Sequence, residues 1–506
     1  LAANGRRPSS TAFSFRGDDV LMGDYLRTQV LDHLPTDTVR FLTRTSVLEQ
    51  MSAASCDAVV GADGSQVVLE SLEAAGLLLV PLDRQRTWYR YHRLFRDLLA
   101  TELAQREPEL LAELHGRAAR WLEANGMPEQ AIRQAQRADD PDLVVSLVAA
   151  TTPPAYAAGR AKDAHVWLEW FRDRNLIEEH PQVAVVGALV EALSGRAASA
   201  ERWAAAAESA GDAADHGATF TGMLAYLGSV LCRRGVAEMG SDARRAADLL
   251  GPQHGLHAAA LLFEGLAFLL AGDPDGAEPR LAHAYDVAMY SHSMPAATAS
   301  AAFRGFIAVG RKEWDVAQSF ADTALEIVET GHLYDYLEAT TAHALAAQTA
   351  GHRGDAQAAV DHLARAARGR PLCTYAVPAT ALVQLELARA YLQVGDATGA
   401  RTVLREVRDL LHQRPDLGVV PEQAEALRRS LDAIRQGPVG ASALTAAELR
   451  LLPFLATHLS FPEIGERLHV SRHTVKTQAI SVYRKFGVSS RSEAIRCAHD
   501  VGLLGM

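Results

Sequence analysis

The sequence predicts an all-α chain in three parts. They are a winged-helix domain with a small β-hairpin, a tetratricopeptide-like α-solenoid, and a four-helix module of helix-turn-helix type. Three observations carry this. Residues 110–433 are Ala-rich helix, broken by glycines at a spacing of roughly 33–44 residues. Near the start, helical periodicity gives way once, at residues 77–91, to two short β-type runs around a polar turn. The final segment holds four helix starts, each on a Ser or Thr.

The 506 residues suffice for two to four domains, and 48% hydrophobic content supports real cores. Net charge is −11, which excludes a general nucleic-acid binder, but its distribution is uneven. Residues 441–506 hold 8 Lys/Arg against 5 Asp/Glu, while the rest holds 42 against 56. A small basic unit on an acidic body suits a DNA-contacting tail. Lysine occurs only at Lys162, Lys312, Lys476 and Lys485, and two of these four share one helix of the basic module. The four cysteines (Cys56, Cys232, Cys373, Cys497) are scattered without CxxC spacing, so neither a disulfide framework nor a zinc site is expected. The most apolar stretch, Ala258 to Ala271, is short and contains Glu264, so it reads as a buried helix. These features predict a cytoplasmic protein without a membrane partner.

Leu1 to Gly23 is polar and shows no clear element. From residue 24 the apolar positions Tyr25, Leu26, Val30, Leu31 and Leu34 share a helical face. Pro35-Thr36-Asp37 starts a second helix, through Leu48, and a third spans about Ser65 to Ala75. Leu77 to Val80 and Trp88 to Tyr91 then pair as a hairpin, completing a winged-helix domain over 24–107. This region lacks a basic stripe, so it is read as a packing module. Over 108–436 the recurring Gly126, Gly159, Gly195, Gly235, Gly272, Gly310, Gly354 and Gly395 mark helix ends. Gly272-Asp273, Gly354-Asp355 and Gly395-Asp396 place a capping Asp at the next helix start. Such an array offers a concave surface for an effector, a small molecule or a protein, or else serves as a spacer. Residues 436–440 read as a linker before the module at 441–506.

In the module, Thr445–Glu448, Ser460–Glu463 and Ser490–Glu493 are capping boxes. Ser471 is the exception, followed at that spacing by Thr474. A helix start that meets a phosphate backbone has no place for an acid. The helix from Ser460 to Leu468, the turn His469-Val470 and the helix to Phe486 have helix-turn-helix spacing. Val475, Ala479, Val482 and Phe486 form the core face of the latter. The opposite face carries Arg472, His473, Lys476, Thr477, Ile480 and Arg484. Lys476 and Thr477 are assigned to base edges or phosphates, and Ser471, Arg472 and Thr474 to phosphate. Ile480 either touches thymine methyls or packs on the fourth helix.

These residues resemble the LuxR-type helix-turn-helix: Leu444-Thr445, Glu448, Leu459-Ser460, Glu463-Ile464, Leu468, Val470-Ser471, Thr474-Val475-Lys476-Thr477, Tyr483-Arg484-Lys485, Gly487-Val488 and Arg491. The resemblance implies groove contacts from Lys476, Thr477 and Ile480, with Arg484 and Lys485 in the DNA-binding set. It also implies dimerisation on DNA through the fourth helix, Ser490 to about Val501. Two positions depart from the pattern. Gln478 stands where many members have His, and Pro453 interrupts the first helix, where an interior proline costs about 3 kcal/mol and should kink it. The rest of the chain resembles the large MalT-like regulators: residues 24–48, Leu72 to Gly76 and Tyr91-His92-Arg93-Leu94-Phe95 their winged helix, the Ala-rich array their sensory superhelix. Those proteins carry an ATP-binding domain in front. This sequence has no GxxxxGK[ST], and Leu1 to Gly23 resembles the tail end of that domain. By analogy with related switch ATPases, His92 is a candidate nucleotide sensor or, more plainly, a structural residue.

The function expected is a bacterial, sequence-specific regulator that binds double-stranded promoter DNA as a dimer, with RNA polymerase as a partner. No cofactor, metal or catalytic residue is assigned. The alternative is a non-enzymatic helical-repeat scaffold whose terminal module no longer binds DNA.

Overall fold

A computed structural model describes residues 26–210, 217–436, 444–457, 459–468, 470–486, 488–500 and 503. The segment 1–23, the linker residues 437–440 and the turn residue 469 lie outside the described residues. The chain divides into two compact units, at 151/152.

The first unit opens with a short α-helical stretch at 26–29 and a 3-10 turn, Leu31–His33, followed by α1 (Thr36–Thr45), α2 (Ala53–Val60) and α3 (Ser65–Ala74). Strands β1 (Leu79–Pro81) and β2 (Tyr89–Tyr91) pair antiparallel in the register Leu79↔Tyr91, Val80↔Arg90, Pro81↔Tyr89. Helices α4 (Arg93–Arg106), α5 (Pro108–Ala124) and α6 (Pro128–Ala138) follow, and α7 (Pro141–Ala157) leads onward. The expected hairpin and third helix are present, but the first expected helix is a short α-helical stretch at 26–29 followed by the 3-10 turn, and the second ends at Thr45 rather than Leu48. The first strand starts at Leu79 rather than Leu77, because Gly76 and Leu78 (φ +67° and +49°) are used in turning out of α3. Helix α2 was not expected. Its capping box runs between Ser52 and Ser55, with a hydroxyl where the usual pattern has a carboxylate.

Leu42, Met51, Leu69, Tyr89, Phe95 and Leu99 are fully buried in this unit's core. The Tyr91 hydroxyl lies 2.7 Å from Thr45 Oγ1, so the wing's polar atom is satisfied inside the core. Arg44 grips Glu107 through two 2.8 Å hydrogen bonds. Gln134 of α6 donates to the Val47 carbonyl and accepts at 2.6 Å opposite His115, so the helix pair beyond residue 107 belongs to this compact unit.

The second unit begins its repeats with α8 (Ala161–Arg174). Six hairpins follow: α9 (Pro181–Leu193) with α10 (Ala197–Glu208), α11 (Gly217–Leu231) with α12 (Val236–Leu250), α13 (His257–Leu270) with α14 (Pro274–Tyr290), α15 (Met294–Gly310) with α16 (Trp314–Thr330), α17 (Leu337–His352) with α18 (Ala356–Gly369), and α19 (Val377–Gln393) with α20 (Ala397–Gln413). Helix α21 (Val420–Gln436) ends the array. First helices are buried almost all round, as in α15 from Pro295 to Ala308. Second helices bury one stripe, as Ala277, Leu281, Ala284 and Ala288 in α14. The first set therefore forms an inner layer and the second an outer one. The capping aspartates take their expected roles: Asp273, Asp355 and Asp396 accept from Gly276, Ala358 and Gly399 N–H groups at 2.8–3.0 Å. Gly310 differs from its expected role. It lies within α15, and Lys312 (φ +63°) makes the left-handed turn instead.

The concave groove predicted from the repeats is not an open trough. The array turns far enough to meet itself along a seam. Tyr336 Oη accepts from Ala161 N–H (2.8 Å) and donates to the Tyr156 carbonyl (3.1 Å). Thr374 Oγ1 donates to the Gly195 carbonyl (2.6 Å), and Arg414 Nε to that of Leu231 (2.8 Å). These partners stand 175 to 183 residues apart. Inner helices start roughly 39 residues apart, so one circuit takes between four and five repeats. Small inner residues permit the tight winding. A Cβ added at Gly305 would lie 2.2 Å from Leu345 Cδ2. At the seam, one added at Gly195 would meet the Leu372 carbonyl at 2.7 Å.

Candidate nucleic-acid interface

The terminal module consists of α22 (Ala446–Leu455), α23 (Phe461–Leu468), α24 (Arg472–Phe486) and α25 (Arg491–Asp500). Its core joins Leu451, Leu452, Leu455, Ile464, Val475, Ala479, Val482, Phe486, Ala494 and Ala498. The four predicted core residues of α24 are among them, so that face points inward.

Of the three predicted capping boxes, Thr445–Glu448 closes both halves, and the other two use their Ser and Glu differently. Thr445 Oγ1 accepts from Glu448 N–H, and Glu448 accepts from Thr445 N–H at 2.6 Å. Glu463 accepts from the N–H and hydroxyl of Ser460. Ser490 Oγ accepts from Glu493 N–H, whose carboxylate takes the N–H of Ser489. The Ser460 hydroxyl and the Ser489 backbone N–H, respectively, hold Glu463 and Glu493 below the usual carboxylate range. At α24 the cap is neutral. Ser471 Oγ accepts from Thr474 N–H at 3.1 Å, and the two hydroxyls lie 2.8 Å apart. No acid stands in its first turn.

Of the residues predicted to touch DNA, Ser471, Arg472, Lys476 and Thr477 are exposed, as is His473, and Thr474 is half-buried. Ile480 is 54% exposed, which removes the reading that it packs on α25. Thr477 Oγ1 donates back to the His473 carbonyl at 2.9 Å, leaving its oxygen lone pairs outward. The side chain of Arg484 lies outside the described residues. Lys485 faces inward, with Nζ 2.6 Å from Glu448 Oε2 and the side chain only 19% exposed. It ties α24 to the start of α22. Burial raises the Glu448 carboxyl, but Lys485 and the Thr445 N–H outweigh it and hold it below the ordinary range.

Two supports went unread in the sequence. Arg491 fans over the end of α22, donating to the carbonyls of Phe454, Leu455, Thr457 and Leu459 at 2.7–3.1 Å. It occupies orphan acceptors that would otherwise require water. Gly465 admits the helix-turn-helix corner. The Val470 N–H donates to its carbonyl at 2.9 Å, and an added Cβ would lie 2.7 Å from the Val470 oxygen. Pro453 sits in the last turn of α22, which continues to Leu455 and caps on the Pro453 carbonyl.

Elsewhere, His92 is an exposed residue at the start of α4, its N–H bonded to the Leu78 carbonyl. No group of three or more potential metal ligands occurs among the described residues. No helix among them is long and apolar enough to cross a membrane.

Comparison with known proteins agrees with this architecture. The model of the MalT winged helix domain matches residues 27–111, and that of bacterial regulatory proteins of the luxR family matches 442–498. The HTH-type transcriptional regulator MalT of Vibrio cholerae is 38% identical over 126 residues, covering 25% of this chain and 14% of that protein. The serine/threonine-protein kinase PknK of Mycobacterium tuberculosis is 33% identical over 132 residues, 26% of this chain and 12% of the kinase. The matched stretch thus spans only about a seventh of these relatives' lengths. Among solved structures, a signal transduction ATPase with a tetratricopeptide repeat sensor from Pyrococcus horikoshii aligns with a TM-score of 0.46 at 14% identity, over 81% of this chain and 67% of that one. The chain is MalT-like in its winged-helix domain and carries the LuxR-family regulatory domain as its terminal module.

Proposed function

We propose that this chain is a sequence-specific, double-stranded-DNA-binding transcription regulator whose repeat array receives a small-molecule or protein signal. The observation that carries the DNA-binding reading is the outer face of α24. Arg472, His473, Lys476, Thr477 and the exposed Ile480 stand together opposite a fully buried stripe, behind a helix start free of acid. A solvated helix face has little use for an isoleucine among cations. In a major groove, the cations and hydroxyls meet base edges and phosphates while the isoleucine meets thymine methyls.

In this reading Lys476, Thr477 and Ile480 read bases, and Ser471, Arg472 and Thr474 position the module on phosphate. Arg484, one turn beyond Ile480, adds a backbone contact. Lys485 acts indirectly, by fixing α24 on α22. The module binds as a dimer through α25, with RNA polymerase as the downstream partner, in the cytoplasm. Part of this chain also resembles a protein named as a kinase, and no catalytic role is proposed here.

The test is selection of genomic DNA fragments by the chain beside a Lys476→Ala, Thr477→Ala variant. The chain should recover one motif that the variant loses. Loss of two base-reading side chains should weaken the selected site by about 2–6 kcal/mol, at least about 30-fold, at roughly 1–3 kcal/mol per good base contact. Equal enrichment by both proteins would remove α24 as the reading helix. A motif-free result, with affinity insensitive to salt, would favour the scaffold reading.

A further inference from the structure

Inside the second unit, residues from six segments, at α7, α9, α11, α13, α15 and α17, converge on one narrow cavity. Tyr156, Leu193, Tyr226, Phe263, Ser293 and Glu338 are among its walls. The space leaves roughly 30 Å³ for the centres of water-sized groups, enough for one or two. The lining is mostly apolar, and four polar side chains break it. Three are hydroxyls, and the fourth is a carboxylate that accepts from its own backbone N–H and leaves one oxygen unpaired.

Glu338 Oε2 is buried and unpaired. The hydroxyls of Tyr226, Tyr156 and Ser293 belong to residues 1%, 8% and 4% exposed, and none donates to or accepts from another described group. Their burial is unusual because buried polar groups are nearly always paired. Glu338 Oε2 is the buried unpaired atom that lines this void, and the three hydroxyl-bearing side chains line it beside it. Aromatic faces adjoin them: the Tyr226 and Phe263 rings meet edge to face at 5.5 Å, and those of Tyr156 and Tyr336 lie 5.0 Å apart.

We propose that this cavity is a binding site for a small primary ammonium group, accepted by the Glu338 carboxylate together with the hydroxyls of Tyr156, Tyr226 and Ser293. Four acceptor groups line a space for one nitrogen and one carbon. An –NH₃⁺ group has three donors and no acceptor, which matches a wall of acceptors with no lysine, arginine or histidine in it. The aromatic rings suit the cation and its carbon. The site rests on the reading of the repeat array as a signal receiver, and gives that signal a chemical class.

Burial pushes the Glu338 carboxyl up to about 7. The titratable groups that face it are Tyr156, Tyr226, Tyr336 and Cys373, and none of these is cationic. The ammonium therefore binds the ionised carboxyl and releases its proton. With half-ionisation near 7, apparent affinity rises about tenfold from pH 6 to pH 8.

The test uses the purified chain without DNA. Methylammonium chloride is titrated against matched sodium chloride, with heat and thermal midpoint as readouts. Saturable binding should appear at pH 8, weaken about tenfold at pH 6, and be lost in Glu338→Gln. Tyr226→Phe, which keeps the ring and the fold, should weaken it severalfold. Methanol and the bulkier tetramethylammonium should not bind. No saturable response in the native chain, or an equal response in Glu338→Gln, overturns the site and leaves water as its occupant. An amine that binds as expected but leaves promoter affinity unchanged supports the site and refutes the signalling reading alone.

Discussion

Replacing Tyr336 by Phe removes one oxygen from the seam of the repeat array and nothing else. That oxygen accepts from the Ala161 N–H at 2.8 Å and donates to the Tyr156 carbonyl at 3.1 Å. Tyr336 itself is 3% exposed. Ala161 is partly exposed, so water can take over its N–H. The Tyr156 carbonyl loses one of its two donors and keeps the Gly159 N–H at 3.1 Å. A typical hydrogen bond contributes about 0.5–1.5 kcal/mol net, so losing both Tyr336 bonds should cost ~2 kcal/mol. For a unit of this size each kcal/mol shifts Tm by about 1–2 °C, which gives a fall of about 2–4 °C. Urea unfolding followed by circular dichroism would measure the same loss as a lower midpoint at unchanged slope. Tyr334→Phe is the control, because Tyr334 is 62% exposed, and it should leave both readouts unchanged. If the two variants behave alike, the seam is a contact without energetic weight and the closed circuit is not a stabilising feature.

Gly465→Val should force the helix-turn-helix corner apart, since even a Cβ would come within 2.7 Å of the Val470 oxygen. DNA affinity should fall sharply while far-ultraviolet circular dichroism changes little. Glu448 is held below its usual range, so its stabilising effect is complete at neutral pH and is lost as pH falls below about 4.5 toward its folded value. Glu448→Gln should therefore lower the stability of the module at pH 7, and in urea titrations the difference should shrink as pH falls below about 4.5. Burial pushes the Cys56 and Cys373 thiols up to about 12 and that of Cys232 to about 11, while Cys497 is half-buried. A thiol reagent at pH 8 should modify at most one cysteine quickly, and the other three only as the chain unfolds.

The parts of this architecture legible in sequence were those governed by local rules. The Thr445–Glu448 box, capping aspartates after glycine, and the 3.6-residue stripe of α24 depend on neighbours within a turn or two, and the structure builds these as expected. The unread parts depend on distance. Nothing near Tyr336 or Arg414 announces partners about 180 residues away. Lys485 looked like one more cation for DNA, because its partner Glu448 stands 37 positions earlier. Helix α2 escaped because its cap uses two serines, and Gly310 misled because the neighbouring Lys312 adopts the left-handed turn.

Repeat arrays usually tolerate gain or loss of a unit, because each repeat touches only the next and folding can spread from any point. A circuit that bonds back to itself after a fixed number of repeats gives up that freedom. Deleting one hairpin, such as α13 with α14, would bring Tyr336, Thr374 and Arg414 opposite the wrong loops, so every seam bond would fail together. Such contacts also raise the sequence separation that folding must bridge, which slows the search and makes the array unfold as one body. Its length is therefore set by closure, in the way the circumference of a ring is set, and natural variants of this body should differ in loops far more than in the number of helices.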